Sequence, residues 1–111
     1  MEWEIILFES QRGEKFVEEF IFAQQEHTRA KIAHEIDLLE RHGPFLNMPH
    51  ARRLKDKLYE LRIRGKEEIR IMYAFLGSRA YLLHAFRKQK QKTPAKEIET
   101  AQKRLGTLLT R

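Results

Sequence analysis

The residues best suited to chemistry in this chain are two arginines on predicted strands, Arg62 and Arg70. A guanidinium group can donate two parallel hydrogen bonds to phosphate oxygens, so a pair of arginines can hold an anion. Apolar and polar residues alternate around both arginines, which is typical of half-buried strands. If the two strands bury the same face, Leu61 pairs with Ile71, and Arg62 then lies directly opposite Arg70.

A third predicted strand supplies further basic residues. The dipeptide Gly77-Ser78 separates two apolar runs and suits a two-residue hairpin turn. With such a turn, the register places Ala85 opposite Arg70, and Arg87 on the same face as Arg70. Three arginines from three strands are therefore expected to converge, with Lys88 directly after the last of them.

The same arginines also have a plain structural interpretation, in which they are surface residues neutralised by nearby acids. Glu60, Glu67 and Glu68 are close to them in the sequence, and most charged residues on a sheet are solvated. The alternation by itself does not separate the two interpretations. The basic segment at residues 87–92 favours an anion site.

Histidine and metal chemistry have weaker support. The five histidines do not follow a metal-binding spacing. His84 lies on the third predicted strand, where a lone histidine more often has a structural role. The chain has no cysteine, which excludes thiolate metal sites and disulfides. It also shows no glycine-rich phosphate loop and no nucleophile triad, so we expect neither a metal nor a small-molecule cofactor.

The elements that position these residues follow from the hydrophobic pattern. Residues 2–8 predict an opening strand, and residues 13–42 predict a helical hairpin. A loop through 47–49 precedes the three strands, and Thr93-Pro94 begins a final amphipathic helix. The order strand, helix, helix, three strands, helix predicts one α+β domain over residues 1–111. We expect a mostly antiparallel sheet with the helices packed on one face.

Charge and segment composition indicate the partners and the compartment. A net charge of +6 and a pI of about 9.8 favour a polyanionic partner. The N-terminus has no basic-then-apolar leader, and no apolar stretch approaches the roughly 18 residues needed to span a bilayer. We therefore expect a cytoplasmic protein without membrane contact.

Several segments carry a resemblance to a known family. They are Leu58-Tyr59-Glu60-Leu61-Arg62, Arg70-Ile71-Met72-Tyr73, residues 82–88 and, most diagnostic, the Thr-Pro-x-x-Glu-Ile-x-x-Ala motif at residues 93–101. These segments resemble the phage-derived Gp49-like/HigB branch of the RelE/ParE toxin superfamily. The order of elements agrees over the whole chain, so the resemblance implies a RelE-like fold.

The resemblance also implies a function. Such proteins are toxins of type II toxin–antitoxin pairs, which cleave mRNA on the ribosome and are silenced by a helix-turn-helix, HigA-like antitoxin. Arg62 and Arg70 match basic sheet residues of these toxins, and Arg87 or Lys88 matches the basic residue that ends the last strand. Several members carry a catalytic Tyr or His near the C-terminus. This chain has Lys92-Thr93-Pro94 there, which leaves the proton-transfer residue open.

Metal-independent RNA cleavage uses the 2′-hydroxyl as the nucleophile. We expect Arg62 and Arg70 to stabilise the five-coordinate phosphorus, with Arg87 or Lys88 near the leaving oxygen. A histidine or lysine would transfer protons, and the candidates are His84, Lys55 and Lys90. Other basic residues are expected to bind RNA through its phosphates: Arg52, Arg53, Lys55, Lys90, Lys92, Lys96 and Lys103.

Two other functions fit the same sequence. A ParE-like toxin would use this fold to inhibit DNA gyrase without RNA chemistry. A non-catalytic nucleic-acid-binding module would use only the basic surface. Accumulation of cleaved DNA rather than cleaved transcripts would favour the gyrase inhibitor.

Overall fold

The computed structural model describes residues 2–89 and 91–111, and it has the expected α+β class with a mostly antiparallel sheet. None of the helices in these residues is both long and apolar enough to cross a membrane. The elements, in chain order, are β1 (Glu4–Leu7), α1 (Phe16–Phe22), α2 (Glu26–His42), β2 (Ala51–Lys55), β3 (Leu58–Ile63), β4 (Ile69–Leu76), β5 (Arg79–Arg87) and α3 (Ala95–Leu109).

The five strands form one sheet in the order β1-β5-β4-β3-β2. β1 pairs with β5 in parallel, and all other neighbours are antiparallel. β2 was not predicted: the sequence indicated a loop through 47–49, and residues 51–55 were assigned no element. Its sequence, Ala-Arg-Arg-Leu-Lys, is too polar to show a buried face, because it is an edge strand with most of its side chains exposed.

The helices cover both faces of the sheet. α1 and α2 bury Val17, Ile32 and Leu39 against one face. The prediction that all the helices pack on one face is wrong for α3. α3 instead buries Ala101 and Leu105 against the other face. The reason lies in β4, which is apolar on both sides and therefore needs a cover on each.

A glycine fixes the exit from α2. Gly43 has φ 54° and ψ −131°, and a Cβ at this position would clash with the indole ring of Trp3. That ring also packs edge-on against Phe75, with the ring centroids 5.0 Å apart. Gly43 therefore allows the N-terminal segment to close over the end of α2.

We predict that Gly43→Ala destabilises the fold by about 2–3 kcal/mol, because backbone strain and the displacement of Trp3 add together. Gly77→Ala is the matched control. Gly77 also has a positive φ, of 64°, but a Cβ there meets nothing within 4 Å, so only the strain of about 1 kcal/mol applies. Urea unfolding measures both variants. Equal losses of stability would show that Trp3 does not limit residue 43.

Candidate phosphate-binding site

The pairing of β3 with β4 follows the predicted register. Leu61 pairs with Ile71, and Arg62 pairs with Arg70. Both arginines lie on the α3 side of the sheet, at the end near the turn that joins β3 to β4. Two cationic side chains are therefore directly opposite each other across a strand pair, as the sequence predicts.

Arg70, however, is turned inward and is only 1% exposed. Its Nη2 donates to Glu68 Oε2 over 2.6 Å, and its Nη1 donates to the Ile69 carbonyl. Its Nε lies 3.6 Å from Glu60 Oε1. The expectation that Arg70 presents an open guanidinium to phosphate is therefore wrong. In this structure, Arg70 is a buried cation held between two carboxylates.

Glu60 is the centre of this buried network, and it was missed as a site residue. It is fully buried and accepts hydrogen bonds from Arg52 Nε (3.1 Å) and Thr93 Oγ1 (2.8 Å). Through these bonds one carboxylate joins β2, β4 and the segment before α3 to β3. A signal was available, because Arg52, Glu60 and Arg70 share one face once β2 is recognised as a strand.

Arg62 has less compensation than Arg70. It is half-buried, and its Nη1 lies 3.1 Å from Met48 Sδ, a weak acceptor. Its Nε is buried and finds no hydrogen-bond partner among the residues that the structure describes. Burial lowers the pKa of Arg62, and the charges of Arg70, Arg64 and Arg52 lower it further. An anion beside Arg62 would offset this repulsion and would offer the Nη groups a stronger acceptor than the Met48 sulfur.

The third strand differs from its predicted register. The two-residue turn is present, since Leu76 pairs with Arg79, but a bulge shifts the pairing between Met72 and Tyr73. Arg70 consequently pairs with Phe86 rather than Ala85.

Arg87 is moved to the opposite face by this shift. It pairs with Ile69 and bonds to Gln24 Oε1 (3.0 Å) and Glu67 Oε2 (3.3 Å) on the α1 side. The predicted convergence of three arginines is therefore wrong for Arg87.

The bulge brings Lys88 to the site in place of Arg87. The Lys88 backbone N–H donates to the Glu68 carbonyl over 2.8 Å. Hydrogen bonding from Arg70 lowers the pKa of Glu68, and the charges of Arg70, Arg64 and Lys88 contribute. Lys88 is thus close enough to influence the same carboxylate as Arg70. Of the two predicted alternatives for the end of the last strand, only Lys88 lies beside the cluster.

His84 occupies a different position, under α3. Its Nε2 is 2.8 Å from Glu97 Oε1, and its Nδ1 is 3.3 Å from Arg104 Nη1. Because the Arg104 guanidinium can only donate hydrogen bonds, His84 Nδ1 must be the acceptor. His84 Nε2 then carries the proton and donates it in the hydrogen bond to Glu97. The ring also stacks on Phe86, with centroids 5.5 Å apart. Both ring nitrogens are engaged, so His84 fastens α3 to β5. Its role in proton transfer stays a prediction.

This arrangement predicts a pH dependence of stability. Burial lowers the pKa of His84 below its ordinary value of 6.5, against the opposing effect of Glu97. The unfolded chain therefore binds more protons as the pH falls, so the stabilising contribution is full above about pH 6.5 and decreases below it. We expect the urea midpoint to fall less in His84→Gln than in the wild type between about pH 7.5 and about pH 5.5. Parallel slopes would contradict this role.

The remaining candidate residues are distributed around the site. Arg52 is exposed but bonds to the buried Glu60. Arg53 is also exposed and donates to the Asp56 carbonyl over 2.8 Å. Lys90 lies outside the described residues. The other predicted RNA-binding lysines are exposed, and their role stays a prediction: Lys55, Lys92, Lys96 and Lys103.

The basic cluster lies on an α+β scaffold with the order of elements expected of a RelE-like fold. The family model of the phage derived protein Gp49-like (DUF891) matches residues 19–106. The chain therefore belongs to the Gp49-like family, which is a RelE/HigB-like toxin family. No curated protein matches the chain.

Proposed function

We propose that this protein is the toxin of a type II toxin–antitoxin pair and that it cleaves mRNA on the ribosome without a metal ion. The observation that carries the proposal is Arg62. It is a half-buried cation among other cations, and within the described residues its side chain has only the weak sulfur acceptor of Met48. In a member of a toxin family, an RNA phosphate is the ligand that best fits this deficiency.

The reaction uses groups that RNA itself supplies. The 2′-oxygen attacks the adjacent phosphorus after losing its proton to a base, and the bond from phosphorus to the 5′-oxygen breaks. The 5′-oxygen leaves with a proton, which gives a 2′,3′-cyclic phosphate and a free 5′-hydroxyl. Between these states, the phosphorus carries five oxygens and an additional negative charge. Preorganised cations at this point lower the barrier.

Each residue of the cluster has a distinct part in the proposal. Arg62 contacts the phosphate, and Arg64 and Lys88 add positive charge near Glu68. Arg70 acts as a positioning residue, since its guanidinium is buried between carboxylates. Glu60 holds Arg52 and Arg70 beneath the site. Through Thr93 it also holds the segment that leads to α3.

The proposed partner is a helix-turn-helix antitoxin that silences the toxin, and the proposed targets are the ribosome and its mRNA. The test combines purified ribosomes, a defined mRNA and primer extension. We expect ribosome-dependent cuts within the message, with cyclic phosphate at the new 3′ ends, in the presence of a chelator that spares ribosomal magnesium. Intact transcripts at saturating protein would overturn the proposal. DNA breaks in a parallel gyrase assay would support the ParE-like alternative instead.

A further inference from the structure

A cleft of about 460 Å³ opens beside the basic cluster, between α2 and the loop that leads into β2. Its apolar lining comes from Ala30, Pro49 and Ile63, and Arg62 and Arg64 extend along the β3 side. Small-molecule sites commonly have volumes of about 300–1,000 Å³ and mostly apolar walls. The size and lining therefore suit a single flat ring system with an anionic substituent.

The polar groups of the cleft are predominantly basic. His50 Nδ1 lies 2.9 Å from Glu35 Oε1, and the His50 side chain is 40% exposed. The glutamate fixes the orientation of the imidazole ring and leaves part of the ring open to the cleft. Lys31 and His34 project from the exposed side of α2. The lining contains one carboxylate, which is already paired, so the free electrostatic character is cationic.

The cleft and the phosphate site share a residue. Arg62 lines the cleft and is also the cation at the centre of the basic cluster. The Arg62 backbone N–H donates to the His50 carbonyl over 2.8 Å, which holds the histidine beside β3. A ligand that passes around the edge of β3, from the α2 side to the α3 side, would have its phosphate at Arg62 and its ring system in the cleft.

We propose that this cleft receives one nucleobase of single-stranded RNA, adjacent to the phosphate that Arg62 contacts. This inference rests on the proposed function. Unstacked bases in single-stranded RNA are held by aromatic or imidazole rings and by apolar walls, and the cleft offers His50, Ala30 and Pro49. The base edge would meet His34 and Glu35, which gives the toxin a means of preferring certain bases.

The cleft can be filled without altering any charge. Ala30 is exposed on α2 and lines the cleft, so Ala30→Trp should occupy the space of the base. Ala33→Trp is the matched control, because Ala33 is exposed on the same helix and does not line the cleft. The probes are a tetranucleotide in 2′-deoxy form, which resists cleavage through the 2′-hydroxyl, and tripolyphosphate, which has no base. Binding is followed by NMR titration.

We expect Ala30→Trp to weaken tetranucleotide binding by about tenfold or more, the loss typical of one stacked base. It should leave tripolyphosphate binding unchanged, and Ala33→Trp should leave both unchanged. His50→Ala should also weaken tetranucleotide binding, and His50→Phe should restore part of it, because a phenyl ring stacks but cannot bond Glu35.

Equal tetranucleotide affinities for the two tryptophan variants would overturn the inference. If the wild type binds the tetranucleotide through the cleft but cuts no mRNA on ribosomes, the proposed function is wrong and the base-binding role of the cleft still holds. If it cuts mRNA and the two tryptophan variants behave alike, only the cleft fails.

Discussion

Replacing Arg62 by alanine should slow mRNA cleavage by about 10²–10³-fold, the usual cost of removing one preorganised group that stabilises the transition state. The fold should survive the change. Arg62 is half-buried, and the nearby charges of Arg70, Arg64 and Arg52 oppose its own, so its removal relieves repulsion. Arg62→Lys should recover only part of the rate, because a lysine keeps the charge but lacks the planar fork of donors.

The measurement is single-turnover cleavage of a defined mRNA on programmed ribosomes, with circular dichroism to establish folding. Arg53→Ala is the matched control. Arg53 is an exposed arginine on β2 that bonds to the Asp56 carbonyl of its own turn, and its loss should change the rate by less than about threefold. If folded Arg62→Ala cut mRNA at the wild-type rate, Arg62 would have no part in catalysis.

Side-chain parity determined what the sequence could predict about the site. Alternation in the sequence placed Leu61 and Ile71 on one shared face, so the pairing of Arg62 with Arg70 was predictable, and the structure confirms it. The bulge between Met72 and Tyr73 was not predictable, since β5 is apolar on both faces and tolerates a shift by one residue. That one shift exchanges Arg87 for Lys88 at the site.

The burial of Arg70 depends on residues that are distant in sequence. Glu60 and Thr93 are 33 residues apart, and Glu60 becomes fully buried only after β2 and the segment before α3 close over it. The sequence did name Glu60 and Glu68 as possible neutralising partners. For Arg70 this structural interpretation is the one that the structure supports. Arg62 instead bonds only a weak sulfur acceptor and lies among other cations, as expected of an anion site.

The second large effect concerns stability. Glu60→Gln should destabilise the fold by about 3–5 kcal/mol, because it removes the buried charge that balances Arg70 and leaves a buried cation undercompensated. Glu68→Gln is the control. Glu68 bonds the same guanidinium but is 40% exposed, so water replaces much of the lost interaction, and the cost should be about 1 kcal/mol. Urea unfolding of both variants gives the comparison, and equal losses would refute a central role for Glu60.

A double variant separates the contribution of Glu60 to stability from its contribution to the geometry of the site. Replacing Glu60 by leucine and Arg70 by methionine removes the whole buried ion pair, and such replacements commonly recover most of the stability that a single removal costs. The double variant should nevertheless cleave mRNA more slowly than the wild type, because Arg52 and Thr93 lose their shared acceptor. The segment that carries Lys88 toward α3 is then no longer held against β3. Cleavage at the wild-type rate in the stable double variant would mean that the ion pair serves folding alone. Arg62 would then act without the support of the Glu60 network.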